Sequence, residues 1–494
     1  MENLPLPLSS PSSVLTPGSD IKPIIDRYST KVRLHNPVGF IELTSQQDIV
    51  PIDPTLTSLT RVLRNGGTLD QAGWSARSLW LTSISLPELG AFDGHKAYLL
   101  AGGEYQGPLK EDLEEEPNDA KSEAIFAVSH GLLYAGCYAE AYLMISLKTN
   151  FLEAHGDREK EKLIDLKLAA GAAFEQAIKQ HSEQYAQATK QGIQQHSALS
   201  DELPNFMLVP AIRDGRVRVT KYPLIPEELY GLQAAAFGRL NFELKILCKV
   251  PGSCVIQKKA PLSNEGSSTE EPGSRTGYGI QVTRDIPRGA LLFSERTELY
   301  SHTHSDDLRP CKNCVLDVPE NRQADGTYEY TTSFCSNSCA RKFARFVHVP
   351  EELFRNVLQD TVQWVNQNPG QHPLSAPSIA TLNADYGGAM YVSYDRHIAA
   401  AIDELQRQDI DVYSGATWDG CVVMDILARV QNNSRAFNVD EEASFVALTR
   451  LFSLINDGPA NVTFTWRTYG AAATVEVTAN RDLRKGEELF IGPV

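Results

Sequence analysis

The chain has 494 residues, enough for two to four domains with cores of their own. It is 42% hydrophobic and 22% charged, and no run approaches the ~18 apolar residues of a membrane-spanning helix, so fibrous and helical-membrane classes are excluded. A formal net charge of −16 argues against direct nucleic-acid binding, which needs clustered Lys and Arg, and suits either plain solubility or attraction of a Lys-rich protein segment.

The opening Met1-Glu-Asn-Leu-Pro-Leu-Pro-Leu has neither the basic flank nor the apolar stretch of a signal peptide. Eight cysteines without an export signal favour thiols or metal over disulfides, in the cytoplasm or the nucleus. The first residues are Pro- and Ser-rich and read as a disordered start. From about 30 to 115, short apolar runs are broken by Gly and Pro and give no usable period. Residues 1–118 are therefore expected as an irregular region.

At Asp119 the character changes. Residues 120–155 and 158–195 are rich in Ala, Leu, Glu, Lys and Gln and predict one helix after the other, with His155-Gly156-Asp157 as the break. Gly131-Leu-Leu-Tyr134-Ala-Gly136-Cys-Tyr138 places small residues where two helices would cross closely. This stretch resembles a tetratricopeptide helix pair, although only one copy is visible and an ordinary helical hairpin fits it as well. Ile225 to Lys249 reads as another helix, closing a helical region over 119–250. Pro261 to Arg275 is a polar Gly/Ser/Pro-rich loop. Beyond it come predicted strands near 278–283 and 290–295, helices near 350–367 and 395–407, and further strands to the end, so the chain as a whole is expected to be α+β.

Between these strands stand Cys311, Cys314, Cys335 and Cys339, spaced Cys-x2-Cys, twenty residues, Cys-x3-Cys. A knuckle turn, a hairpin signalled by Asp325-Gly326, and a helix N-terminus after Ser336 form a recipe for a closed four-thiolate zinc site, structural in role. Unpaired structural thiols are the alternative. Cys137, Cys248, Cys254 and Cys421 lack ligand spacing and read as small core residues.

Two segments nearly repeat one another: Thr283-Arg-Asp-Ile-Pro-Arg-Gly-Ala-Leu-Leu-Phe293 and Asn480-Arg-Asp-Leu-Arg-Lys-Gly-Glu-Glu-Leu-Phe490. Each reads as a strand end, a tight turn at Gly and a second strand. Five segments taken in order over about 225–494 are these: Gly277-Tyr278-Gly279 with the first repeat, the cysteine module at about 305–348, Ala428-Arg-Val-Gln-Asn-Asn433, Leu451 to Asn461, and the second repeat. Together they resemble the SET domain of the SET-and-MYND lysine methyltransferases and their fungal relatives, which carry an N-terminal helical region. The resemblance implies a SET-like domain over 251–494 and methyl transfer from S-adenosylmethionine to a lysine amine of a protein. It implies that Gly277, Tyr278 and Gly279 hold the methionine end of the cofactor, with Asn433 and Asn456 near its amine and adenine. On residue type alone, each Asn is more simply a turn or cap residue.

The sequence departs from the family in two places. Asp457-Gly458-Pro459 follows Asn456 where the family has His and Cys, and Pro493 stands at about the position of the Tyr whose hydroxyl orients the reacting amine. No catalytic residue is assigned; Tyr386, Tyr391, Tyr394 and Tyr469 are undistinguished substitutes. Two explanations stay open: a degenerate SET domain that binds partners without catalysis, or a sequence that stops short of its own Tyr.

Overall fold

In a computed structural model of the chain, the residues described are 32–34, 41–43, 62, 69–103, 119–148, 162–174, 176–177, 214–222, 224–230, 234–258, 278–303, 351–384, 388–415, 417–438, 444–469 and 472–492. The fold is α+β, with helices and small, mostly antiparallel sheets. In chain order the elements begin with β1 (Val32–Leu34), β2 (Ile41–Leu43), α1 (Gln71–Ser83), α2 (Pro87–Leu100), α3 (Asp119–Ala135), α4 (Tyr138–Lys148), α5 (residues 162–174) and β3 (Gly215–Arg218). Then follow α6 (Ala234–Leu247), β4 (Cys254–Lys258), β5 (Tyr278–Val282), β6 (Leu291–Thr297), β7 (Tyr300–Thr303), α7 (Glu351–Gln367) and β8 (Ala389–Val392). The last are α8 (Ala400–Arg407), α9 (Gly420–Asn433), β9 (Ser434–Asn438), β10 (Ser444–Leu448), β11 (Asn456–Asp457), β12 (Val462–Tyr469), β13 (Ala472–Ala479) and β14 (Phe490–Ile491). The chain divides into two compact units, one of residues 1–224 and 387–424, the other of 225–386 and 425–494.

In the first unit α1 to α4 pack in succession. Close approach of α2 and α3 needs glycine: a Cβ on Gly94 would lie 2.6 Å from the Val128 Cα, and one on Gly131 would lie 2.4 Å from the Ala91 backbone nitrogen. The small-residue stretch thus sits at a helix crossing, as its composition suggests. The expected single helix over 120–155 is instead two, α3 and α4, because Gly136 takes a φ of +85° and ends the first. The helix expected from Ile225 begins only at Ala234, after a short 3-10 turn over Glu227–Leu229 led by Pro226.

Residues 71–100, which show no period in sequence, form α1 and α2. The reason is that α2 is buried almost all round, so no polar face alternates with an apolar one. Its buried side chains include Glu88, Asp93, His95 and Lys96. Antiparallel β3 and β8 complete the unit, with Gly215 opposite Val392.

The second unit is built on the antiparallel order β12-β13-β6, with β4-β5, β7-β10-β9 and the short parallel pair β11-β14 around it. Val475 and Val477 of β13, Phe293 of β6, Ile280 and Val282 of β5, and Leu489 share one core. Phe452 meets Phe464 and Trp466 edge-on at 5.0 and 5.6 Å between ring centres.

Candidate functional site

The two near-repeats pair with one another, and they do so reciprocally. Ile286 N–H donates to Leu483 O at 2.9 Å and Leu483 N–H to Ile286 O at 2.8 Å. Asp482 Oδ1 accepts from Arg288 N–H at 2.8 Å, and its counterpart Asp285 Oδ1 accepts from Lys485 N–H at the same distance. Gly289 N–H donates to Ala479 O and Gly486 N–H to Val282 O, both at 2.8 Å. Each Asp therefore caps the other repeat's turn, which explains why both segments carry Asp three residues before Arg or Lys. Gly289 and Gly486 have φ of +82° and +88°, where a side chain would be strained.

This double turn delivers the last strand to its place. Leu489 N–H donates to Ile280 O of β5 at 2.8 Å, and Asn456 lies opposite Phe490 in the parallel pair. Buried Asn461 grips the same segment from both ends of its amide: Oδ1 accepts from Phe490 N–H at 2.7 Å, and Nδ2 donates to Glu488 O at 2.7 Å. Glu295 of β6 sets the approach to Asn456. Buried, it accepts the backbone N–H groups of Arg450 (2.7 Å), Leu451 (3.1 Å) and Phe452 (2.8 Å). Burial pushes its carboxyl above the usual range, against the pull of those three donors.

Of the expected cofactor residues, Tyr278, Gly279 and Asn456 come together. Asn456 Nδ2 donates to Tyr278 O at 3.0 Å and to Glu488 Oε1 at 2.6 Å. A Cβ on Gly279 would stand 2.4 Å from Glu488 Oε1 and 3.2 Å from Asn456 Nδ2, so only glycine leaves room for this contact. Asn433 is placed differently. At the end of α9 its amide donates to Asn383 O at 2.8 Å and Arg429 O at 2.7 Å, and neither bond reaches β5 or Asn456. Both amide N–H groups of Asn433 and of Asn456 thus donate to protein acceptors.

Gly277, Tyr386 and the four cysteines Cys311, Cys314, Cys335 and Cys339 lie outside the described residues. Among the described residues, no group of three or more His, Cys, Asp or Glu could hold a metal ion. Tyr391 and Tyr394 belong to the first unit. There Arg216 lies 5.7 Å from the Tyr391 ring centre, and the Tyr394 hydroxyl is 2.8 Å from His95 Nδ1. The Tyr469 side chain is not among those described. Cys137, Cys248, Cys254 and Cys421 are buried free thiols, as expected.

Two features escape sequence pattern. In the second unit a cleft of about 450 Å³ opens between β6, α7 and β10, lined among others by Glu295, Glu298, Asp360, Trp364, Ser378 and Arg450. Among the described residues, Tyr278, Gly279, Asn433 and Asn456 do not line it. In the first unit Arg77 Nη2 lies 2.6 Å from Asp419 and its Nε lies 3.4 Å from Asp93. The Lys96 ammonium stands 4.1 Å from the Trp74 ring centre. Burial pushes Asp93 up to about 7, while Asp419 is held below the usual range because Arg77 and Lys96 outweigh its burial. Burial also drives Lys96 down and His95 down to about 3.

Among the described residues, no helix is long and apolar enough to cross a membrane. Comparison with protein-family models finds no match, and a search of curated proteins finds no relative.

Proposed function

We propose that the second unit is a SET-type domain, of the lineage that methylates protein lysines with S-adenosylmethionine, used here as a protein-binding scaffold without methyl transfer. One observation carries the second half of this reading: the Asn456 amide joins Tyr278 O to Glu488 Oε1 and so holds the strands together at the point where the family resemblance puts a cofactor. The lineage itself is supported by the reciprocal pairing of the Arg-Asp-[Ile/Leu] segments around that point. Residues at the site then act as positioning groups. Asn456 fixes the start of β5, Asn461 fixes the last strand, and Gly279 admits Glu488 between them.

The partner in this reading is a basic, Lys-rich protein segment, attracted by a chain of net charge −16. The cleft supplies a place for it. Asp360 and Trp364 are one turn apart on α7, and together they offer a carboxylate and an aromatic face to an ammonium group. A Lys-rich peptide should bind the full chain and an acidic peptide of equal length should not, as read by fluorescence anisotropy. Affinity should fall several-fold between about 50 and 200 mM salt, and further in Asp360→Asn. Binding that ignores both salt and Asp360 would remove this assignment.

Methyl transfer retained is the second reading, favoured by the convergence of Tyr278, Gly279 and Asn456 at one point. Both readings include a structural zinc ion held by Cys311, Cys314, Cys335 and Cys339 through four thiolates. Metal analysis of protein purified without chelator should give one zinc per chain, and Cys311→Ser with Cys335→Ser should abolish it. Zinc-free, folded wild-type protein would refute the metal assignment.

A further inference from the structure

Helix α6 has an outer face that the core of its unit does not use, and what that face does is independent of the SET reading. The inner side is set by Leu240, Leu244 and Cys248, all buried in the core, with Phe237 beside the Tyr278 ring at 5.8 Å between centres. On the opposite side Phe242 and Ile246 are 65% and 63% exposed, and Val250, just past the helix end, is 37% exposed. A single exposed Phe or Ile is ordinary, but these stand on consecutive turns and form one apolar ridge. Gly238, one turn before Phe242, leaves an open space at the head of the ridge: a Cβ there would meet nothing within 4 Å.

Cations border the ridge. At 3.6 residues per turn, Arg239 falls about 60° to one side of Phe242 and Lys245 about 60° to the other. Lys249 follows beyond the helix end. All three are exposed, and among the described residues none of them has a carboxylate partner. Glu243, the acid of this helix, pairs instead with Arg450 of the same unit at 3.1 Å. The face is therefore positive within a chain whose formal net charge is −16. Charges more than about 8 Å away are largely screened at physiological salt, so a docking partner meets these three first.

We infer that this face docks an amphipathic helix of another protein, apolar along one stripe and acidic along both borders of that stripe. Its apolar residues, at i, i+3, i+4 and i+7, pack over Phe242 and Ile246, and a large side chain enters the space at Gly238. Its Asp or Glu residues meet Arg239 on one border and Lys245 on the other. The charges disfavour a second copy docking by the same face, because Arg239, Lys245 and Lys249 would then oppose their own equivalents. From Gly238 to Ile246 the face runs about 12 Å, so the contact is small and the complex readily reversed.

The probe is a fluorescent synthetic helix of three repeats of Leu-Glu-Ala-Leu-Leu-Glu-Ala, titrated with the full chain and read by anisotropy. The same helix with Lys in place of every Glu is the control. The Glu helix should bind in the micromolar range. Phe242→Ser with Ile246→Ser should weaken it about tenfold, the loss expected for two apolar anchors, and Arg239→Glu with Lys245→Glu should do the same. All four side chains lie at the surface, so both double variants should keep the wild-type melting curve. Any binding of the Lys helix should be unchanged by Phe242→Ser with Ile246→Ser. Failure of the Glu helix to bind, or binding that ignores both double variants, would overturn the proposal. Self-association in sedimentation that Phe242→Ser with Ile246→Ser abolishes would overturn it in favour of a second copy. Without Glu-helix binding, capture by phosphatidylserine vesicles that is lost in the same variant would overturn it in favour of a lipid surface.

Discussion

Replacing Arg77 with Leu should cost the first unit about 3–5 kcal/mol, the range for removing one partner of a buried ion pair. Arg77 is wholly buried, and Leu would leave the Asp419 and Asp93 carboxylates in the interior with Lys96 as their neighbouring cation. The loss is large against the roughly 5–15 kcal/mol that holds a domain folded. It should also depend on pH. In the wild type Asp419 is depressed, so its contribution is present above the ordinary carboxylate range and is lost as pH falls through its folded value. Without Arg77 the sign reverses, because a buried unpaired carboxyl has a raised folded value and its stability is lost as pH rises. The deficit of Arg77→Leu should therefore shrink on going from about pH 8 to pH 5. Adding Asp419→Leu should recover much of it, since two apolar groups replace a charge left alone. Urea unfolding of the three proteins at two pH values decides this. A single-mutant loss below about 1 kcal/mol would mean that water already solvates the cluster.

Glu295→Ala should have the next largest effect, and its reach bears on the site. The side chain satisfies three successive backbone N–H groups, those of Arg450, Leu451 and Phe452. Each orphaned buried donor costs about 1–3 kcal/mol, so a total of about 3 kcal/mol or more is expected. Glu295→Gln keeps one acceptor oxygen and should lose roughly half as much. Because the capped turn leads directly into Asn456, amide hydrogen exchange over residues 450–458 should quicken in Glu295→Ala well before global unfolding. Unchanged exchange there would show that Glu295 does not hold this segment.

How far the chain can be read without coordinates differs sharply between its parts. The double turn is legible because Arg-Asp-[Ile/Leu]-x-[Arg/Lys]-Gly is a local instruction: Asp reaches a turn, and glycine takes a positive φ. That the two copies pair with one another emerges only in the structure. The helices α3 and α7 are legible from composition and period, and only their ends shift, at Gly136 for α3. By contrast α2 hides because a helix buried on every side has no period to show, and its Glu, Asp, His and Lys look like surface residues. Arg77 and Asp419 are separated by 342 residues, and no local pattern announces such a pair. At the site the motif points to Asn433 and Asn456 by type alone. Which acceptor each amide finds depends on strands far apart in sequence, and that is why Glu488 and Asn461 enter beside Asn456 while the Asn433 amide bonds to Asn383 and Arg429.

Calorimetric titration of the full, zinc-loaded chain with S-adenosylmethionine tests the central claim most directly. If the Asn456 amide serves the fold, protein with a cooperative thermal transition should give no saturable heat up to millimolar cofactor. Saturable one-to-one binding, lost in Asn456→Ala protein that remains folded, would contradict the scaffold reading and return the chain to the methyltransferases as an enzyme.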